Sequence, residues 1–428
     1  MAEIDEIIKK SRHTAEAMIS RTSLFRMFTS DAYSRNSQQN DYETLTVRIT
    51  LPDGRTGVSN STPDKWEKCV SNAEKIAGLS EKDKDFRSIP EKQNYSNVFV
   101  PSQEQIYKTT NEELIERSKI IKQTAKKFKV RLMDSIVEKT VSETEFANSN
   151  GINLREKQGS VIFNVWVSKK ISSSEQVFLL RKVPDFEEYT EKVCRTALVS
   201  AKKHFKVQTK KMPVLFSYQA LFPLIEHVLM PAFDSHNKQK GTSYFSDKLG
   251  QQVADSRLSI TDNGLLKNGL MSDSFDYEGT ARKKTLLVEK GVLKGFLYDC
   301  YTANKDSTAS TGNCSSIQIR PAIEPTNIVF SSGAKTTEDI IAGLKEGIVV
   351  NSYIGLGGSN TQSGDFSLRL SNALYIKDGA IKFPVKETMI SGNIFHMLNS
   401  ILEISRDAEQ YSNLMSGPVL FDGLQVIC

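Results

Sequence analysis

Apolar and polar residues alternate along Tyr42–Leu51, with Leu45, Val47 and Ile49 on one face. A two-residue period is that of a half-buried strand. Asp53 and Gly54 follow as a hairpin turn signal, because glycine takes positive φ without steric cost. Thr56–Ser61 is the expected returning strand, and Pro63-Asp64 opens a helix to about Ala77. Upstream, residues 2–20 read as an amphipathic helix, with a strand near 24–34. Ser80 to Pro101 is polar and reads as a linker. Thr109 to Glu112 supply helix-capping residues, and Leu114, Ile115, Ile120, Ile121 and Phe128 the apolar positions that follow them. Strand-like runs come next at Leu132–Glu145, Gly151–Glu156 and Ser160–Lys170, with Asn148–Gly151 as a turn. A helix follows Pro184 and reaches about Phe205.

Beyond Met212-Pro213 turn signals become dense, as at Asp262–Gly264, Lys290-Gly291 and Asp378-Gly379. Short β-rich segments lie between them, including Thr285–Val288, Leu293–Tyr298, Ile328–Phe330 and Leu374–Ile376. Two helices interrupt these, Thr337–Lys345, opened by a Thr336/Asp339 capping box, and Gly392–Ile404. The pattern predicts an α+β protein. An N-terminal α/β region with hairpins and helices precedes a C-terminal domain on a large, mostly antiparallel sheet. The expected boundaries are 1–95, 96–212 and 213–428.

Composition narrows the function classes. The chain has 428 residues, 39% hydrophobic and 25% charged, which suits a soluble globular protein of two or three domains. A net charge of +5 is mild for this length and argues against nucleic acid as a partner. The basic spots Lys202–His204 and Lys210-Lys211 read as solvated element ends. The five cysteines (Cys69, Cys194, Cys300, Cys314, Cys428) are far apart and read as reduced thiols of a cytoplasmic protein. The N-terminus has no signal-peptide core. The apolar stretch Val214–Phe233 is broken by Pro223, Glu226, His227 and Pro231, so core burial is expected rather than a membrane span.

Within that stretch, LIEHVLMPAF (224–233) places Glu226 beside His227. A zinc peptidase needs two imidazoles held close, a third ligand and a carboxylate base. The histidines are His13, His204, His227, His236 and His396, and no His-Glu-x-x-His occurs. A site would need His227 and His236 to meet across a turn, with Glu226 as base. A hydrogen-bonded or partly exposed His227 is the plainer expectation. Cys314 lies in a turn-rich stretch that could expose it as a nucleophile, with His396 as base; a half-buried structural thiol is favoured over that. Gly355–Asn360 is glycine-rich, but a strand-like segment follows, so a tight β-connection is favoured over a phosphate loop. Asp273, Asp276 and Glu278 read as a solvated loop.

The C-terminal half resembles the TldD/TldE (PmbA) family, a peptidase-related group once labelled modulators of DNA gyrase. The stretches that carry the resemblance run in family order. They are GTSYFSDKLGQQVADSRLSITDNG (241–264), FDYEGTARKKTLLVEKGVLKGFLYDCYTA (275–303), STGNC (310–314), EPTNIVFSSG (324–333) and GLGGSNTQSGDFSLRLSNALYIKDGAIKFPVKETMISGNIFHML (355–398). DGRTGVSNST (53–62) and NSNG (148–151) extend it more weakly. Metal-bearing TldD-like members carry His-Glu-x-x-x-His shortly before the Gly-Thr-Ser stretch. Counting back from Gly241 lands on Glu226-His227-Val228-Leu229-Met230-Pro231, with the first pair transposed and the second histidine replaced by proline. The family's C-terminal ligand cysteine falls in the neighbourhood Ser412–Ser416, which has none, and Cys428 lies beyond it.

The resemblance therefore implies a TldE/PmbA-like chain that holds no metal of its own. Zinc is expected only in a TldD-like partner, as part of a heterodimer acting on unfolded peptides; a homodimer stays open. Thr311, Gly312, Asn313, Gly358, Asn360, Asp365 and Asn393 are candidates for a substrate groove, against simple turn chemistry as the plainer account. The competing functions are a stand-alone peptidase with rewired ligands or a Cys314 nucleophile, and a regulatory binding protein.

Overall fold

The computed structural model describes residues 3–32, 36–98, 100, 102–170 and 172–428. A short helix α1 (Ile4–Lys10) leads into strands β1 (Thr14–Thr29), β2 (Asn36–Thr50), β3 (Thr56–Ser61), β4 (Arg131–Asn148), β5 (Asn153–Lys169) and β6 (Ser172–Leu180). These form one antiparallel sheet in the order β3-β2-β1-β4-β5-β6. Residues on both sides of position 95 thus share a sheet. The turn at Gly54 has φ 84°, as its sequence predicts. Gly57 in β3 has a different role: a Cβ there would fall 2.1 Å from the Ala73 carbonyl, so its absence lets the next helix approach.

The helix expected over 2–20 is corrected to seven residues followed by a strand. The cause is tertiary, since β1 pairs with β2 on one side and β4 on the other. Residues 33 and 34 of the strand expected near 24–34 lie outside the described residues. The two runs expected at 151–156 and 160–170 are one continuous β5, and β6 was not foreseen.

Helices α2 (Trp66–Leu79), α3 (Gln103–Lys108), α4 (Asn111–Lys127) and α5 (Phe186–Ser200) pack on this sheet. Thr110 and Glu113 form the capping box of α4. The odd-numbered residues of β1 share one face. Ala15, Ala17 and Ile19 meet α1 and α2, while Phe25 and Met27 meet α3 to α5. The opposite face, with Met18 and Phe146, packs on Phe275 and Ile317 of the C-terminal region.

That region contains β7 (Lys210–Phe216), β8 (Ile260–Asn263), β9 (Lys284–Glu289), β10 (Val292–Leu293), β11 (Ile328–Phe330), β12 (Glu346–Ile354), β13 (Asp365–Lys377), β14 (Ala380–Pro384), β15 (Met389–Asn393), β16 (Ile401–Ile404), β17 (Glu409–Tyr411), β18 (Leu414–Ser416) and β19 (Val419–Ile427). Its strands divide between two sheets, β10-β9-β8-β11-β18-β17 and β12-β7-β19-β15-β13-β14. All pairings are antiparallel except β11–β18 and β7–β12. In the second sheet β12 also pairs with β13, so the ladder closes on itself.

The helices are short: α6 (Tyr218–Leu224), α7 (Ser235–Gln239), α8 (Cys300–Lys305), α9 (Thr337–Ala342) and α10 (Ile394–Asn399). The helix expected at 392–404 shrinks to α10, because β15 and β16 claim its flanks. The strand expected at 293–298 stops at Leu293. Between the two sheets lies the main core, centred on residues 220–233. No helix among the described residues is long and apolar enough to cross a membrane.

Candidate functional site

The segment Leu224–Phe233 is where chemistry would be expected, and its backbone is irregular. Ser217 caps α6, its Oγ accepting from the Ala220 N–H. The helix then widens to a π turn over Ile225–Leu229 and tightens to a 3-10 turn over Met230–Phe233. Pro231 accounts for the change, since it has no N–H and its ring clashes with the carbonyl one turn back. Leu224, Ile225, Val228, Leu229, Met230, Ala232 and Phe233 are all buried. Glu226 and His227 point the other way, with the His227 side chain 63% exposed and its Nε2 3.7 Å from Glu226 Oε2. Burial raises the Glu226 carboxyl above its ordinary value, against the pull of His227, and Glu324 adds to the rise.

The segment from 409 to 416 lies beside α6. Tyr411 packs on Phe222 at 5.7 Å between ring centroids, and Tyr218 donates to Glu409 at 2.6 Å. Ser416 is buried, with its Oγ turned to the Gly417 carbonyl. Cys428 lies elsewhere, its Sγ 3.1 Å from Thr388 Oγ1. Among the described residues no three His, Cys, Asp or Glu side chains are placed to hold a metal. Glu226 and His227 alone do not make the donor set that zinc takes.

The glycine- and asparagine-rich candidates form two separate clusters. Thr311 donates to Asn313 Oδ1 (2.6 Å), Gly312 has φ 75° and its carbonyl accepts from Arg282, and the buried Asn313 donates to Asp262 (2.9 Å) and the Glu324 carbonyl (2.9 Å). Burial pushes Asp262 up to about 6, although Asn313 and Thr326 hydrogen-bond to its charged form.

In the second cluster Asn393 caps α10 and donates to Asp365 (2.8 Å) and the Ser363 carbonyl (2.7 Å). Asn360 Oδ1 accepts from the Gln362 and Ser363 N–H groups, and the exposed Gly358 ends a 3-10 turn in the β12–β13 connection. His396 belongs here, beside Asp365. Cys314 is fully buried in the first cluster, where burial and then Glu278 and Asp276 hold its thiol well above the ordinary range. Cys314 and His396 therefore lie in different clusters, and among the described residues no hydrogen bond joins them.

The solvated loop expected at 273–278 is the clearest correction. Asp276 and Glu278 are 1% and 3% exposed. Arg48, from β2, donates to Glu16 of β1 at 2.5 and 2.8 Å and to Glu278 at 3.1 Å. Asp276 accepts from the N–H groups of Glu278, Thr280 and Cys314. Asp273 pairs with Arg181 at 3.0 Å. His236 lies 3.6 Å from the buried Asp299, whose charge raises the imidazole. Burial would raise Asp299, but His236 and Thr302 outweigh it and hold the carboxyl low. A cavity of ≈ 50 Å³ lies against this junction, touched by Arg48, His236 and Glu278.

A family model described as the PmbA/TldA metallopeptidase C-terminal domain matches residues 209–428. An uncharacterized protein of Methanocaldococcus jannaschii is 34% identical over 67% of this chain and 67% of its own length. The chain belongs to the PmbA/TldD family. Among its relatives, a protein named metalloprotease PmbA homolog, from Buchnera aphidicola, is 29% identical over 67% of this chain and 65% of its own length. The Escherichia coli metalloprotease PmbA is matched over about half, 49% of its length, at 28% identity. A solved structure of TldE from Thermococcus kodakarensis superposes over 100% of both chains with a TM-score of 0.92 at 22% identity, which establishes the shared fold.

The family domain contains Glu226, His227, Pro231 and every groove candidate from Thr311 to Asn393. The sheet β1–β6 lies outside the matched residues. Arg48 therefore reaches into the PmbA/TldD domain from the part of the chain that the model leaves uncovered.

Proposed function

We propose that this chain is the metal-free, TldE/PmbA-like subunit of a TldD/TldE-type zinc metallopeptidase complex that degrades or matures short unfolded peptides. A TldD-like partner would supply the zinc, and this chain would complete the peptide-holding cavity. The observation that carries the proposal is the bent helix at 225–233. Glu226 and His227 lie on its outer side, and by the family resemblance the pair is transposed and Pro231 falls where metal-bearing members carry the second histidine. Proline offers no ligand atom and breaks the one-turn spacing that would stack two imidazoles.

The test uses the purified full chain, exposed to zinc and passed through gel filtration. Negligible retained zinc is expected, together with no hydrolysis of an unfolded peptide. Hydrolysis should appear when a TldD-like chain is added. About one zinc per chain, lost in His227→Ala, would instead establish a rebuilt site and a stand-alone enzyme.

A further inference from the structure

A groove of ≈ 640 Å³ runs between the N-terminal sheet and the C-terminal domain. That size is in the range of ligand-binding clefts. One wall is Ser172–Gln176 of β6, the last strand of its sheet, whose outer edge has no strand partner among the described residues. The other wall is Asn351–Ile354 of β12. Its parallel neighbour β7 reaches only Phe216, opposite Val350, after which the chain turns away into α6. Beyond Val350, β12 keeps β13 on one side and, among the described residues, has no strand on the other. Gln219 and Pro223 of α6 also line the groove. Two strand ends with unpaired edges thus border the same space.

The chemistry of the walls restricts what can occupy it. The lining contains neither lysine nor arginine, in a chain that has 56 of them. Serine, threonine, asparagine and glutamine dominate, Trp166 and Tyr411 contribute aromatic surface, and Glu175 is the one carboxylate. His204 is the one imidazole in the lining. Without lysine or arginine such a surface offers little counter-charge to phosphates or acidic chains, and its neutral donors and acceptors suit amides. Ser200 also lines the groove. It is 5% exposed and its Oγ has no hydrogen-bond partner among the described residues, although its carbonyl accepts from Ser172 Oγ (2.7 Å) and His204 Nε2 (2.6 Å). A buried hydroxyl left unpaired costs free energy unless a ligand or water completes it.

We propose that this groove binds an extended, uncharged polypeptide segment, which adds as a strand to the free edge of β6 or of β12. Backbone hydrogen bonds supply the affinity, so sequence preference is weak. The proposal rests on the peptide-handling reading for its physiological ligand, but it assigns the contact to a site in this chain whose lining includes neither Glu226 nor His227.

The probe is a fluorescein-labelled, end-capped octapeptide of serine, threonine and alanine, titrated against the full chain alone by fluorescence anisotropy. A second probe carries N-methyl groups on alternate backbone nitrogens. Saturable binding of the first is expected, weakened at least ~10-fold by N-methylation. Ser352→Trp and Ser371→Trp, both exposed positions on the groove wall, should each weaken it by a similar factor. Ser37→Trp on β2, towards the far side of the sheet, should not. Melting temperatures of all three variants show that they fold. Equal binding of the N-methylated probe, undiminished binding by both groove variants, or no saturable binding would overturn the proposal. Partner-dependent hydrolysis is read separately. Its absence with intact octapeptide binding sinks the subunit reading alone, and the converse sinks the groove alone.

Discussion

The helix at 224–233 and the charged junction around Arg48 are both buried, but opposite means hold them. The helix is fixed by shape. Its apolar side fills the space between two sheets, and its polar residues were left facing out. The junction is fixed by pairing. Arg48 lies 32 positions from Glu16 and 230 from Glu278, and the three satisfy one another where water cannot. The helix stays buried whatever happens to its polar residues. The junction depends above all on Arg48, because removing the cation leaves two buried acids without a counter-charge in a low-dielectric site.

The sharpest break of that contrast is Arg48→Ala. It leaves Glu16 and Glu278 facing each other without a cation and should cost about 3–5 kcal/mol of unfolding free energy, measured by urea titration. Glu278→Gln should cost much less. Burial outweighs the attraction of Arg48 and already raises the Glu278 carboxyl towards its neutral form. If the two variants were equally damaging, the account of Glu278 as a carboxyl driven towards its neutral form would fail.

On the shape-determined side, Leu229→Ala should cost about 2–5 kcal/mol through the cavity it opens. Leu229 is 0% exposed in the main core. A loss below ~1 kcal/mol would mean that the irregular helix can collapse around the missing side chain, and that its turns are looser than their burial suggests.

The junction's flank also responds to pH. Burial, followed by the charge of Asp273, pushes Glu156 up to about 7, against hydrogen bonds from Ser274 and the charge of Arg181. An unfolded glutamate titrates near ~4.3. Between these values the folded chain holds a proton that the unfolded chain has lost, so stability from this group falls as pH rises from about 4 to about 7. Relative to Glu156→Gln, the native chain should lose on the order of 2 kcal/mol between pH 5 and pH 8. A native chain that gains stability over that interval relative to the variant would reverse the sign and refute the buried-proton account.

The two regions were also unequally legible in the sequence. Turn signals at Asp53-Gly54 and Asn148–Gly151, the strand at 56–61, the capping residue Thr110 before α4 and the capping box of α9 are local, and they appear where they were expected. The partly exposed His227 in an apolar run was legible for the same reason. The error over 2–20 is non-local. Glu16 interrupts the apolar alternation of β1, and it is buried only because Arg48 of the neighbouring strand meets it. Asp276 and Glu278 were misread in the same way, since their partners lie on other elements. The helix expected over 392–404 failed because Ser391 and Gly392 pair with β13 and Ile401 to Ile404 with β19, and neither pairing can be read from a single segment.

The smallest expected effect is the most specific test of the helix. His227→Ala removes a side chain that is 63% exposed and contacts Glu226 only at 3.7 Å. It should change stability by no more than about 0.5 kcal/mol, seen as coincident urea curves. In the presence of a TldD-like chain it should leave peptide hydrolysis unchanged, whereas a ligand histidine would abolish it. The same substitution thus separates a helix kept for its apolar side from one kept for its polar side. A His227→Ala variant that folds normally but loses hydrolysis would return Glu226 and His227 to the chemistry, and the comparison with the Arg48 junction would have to be redrawn around a working site.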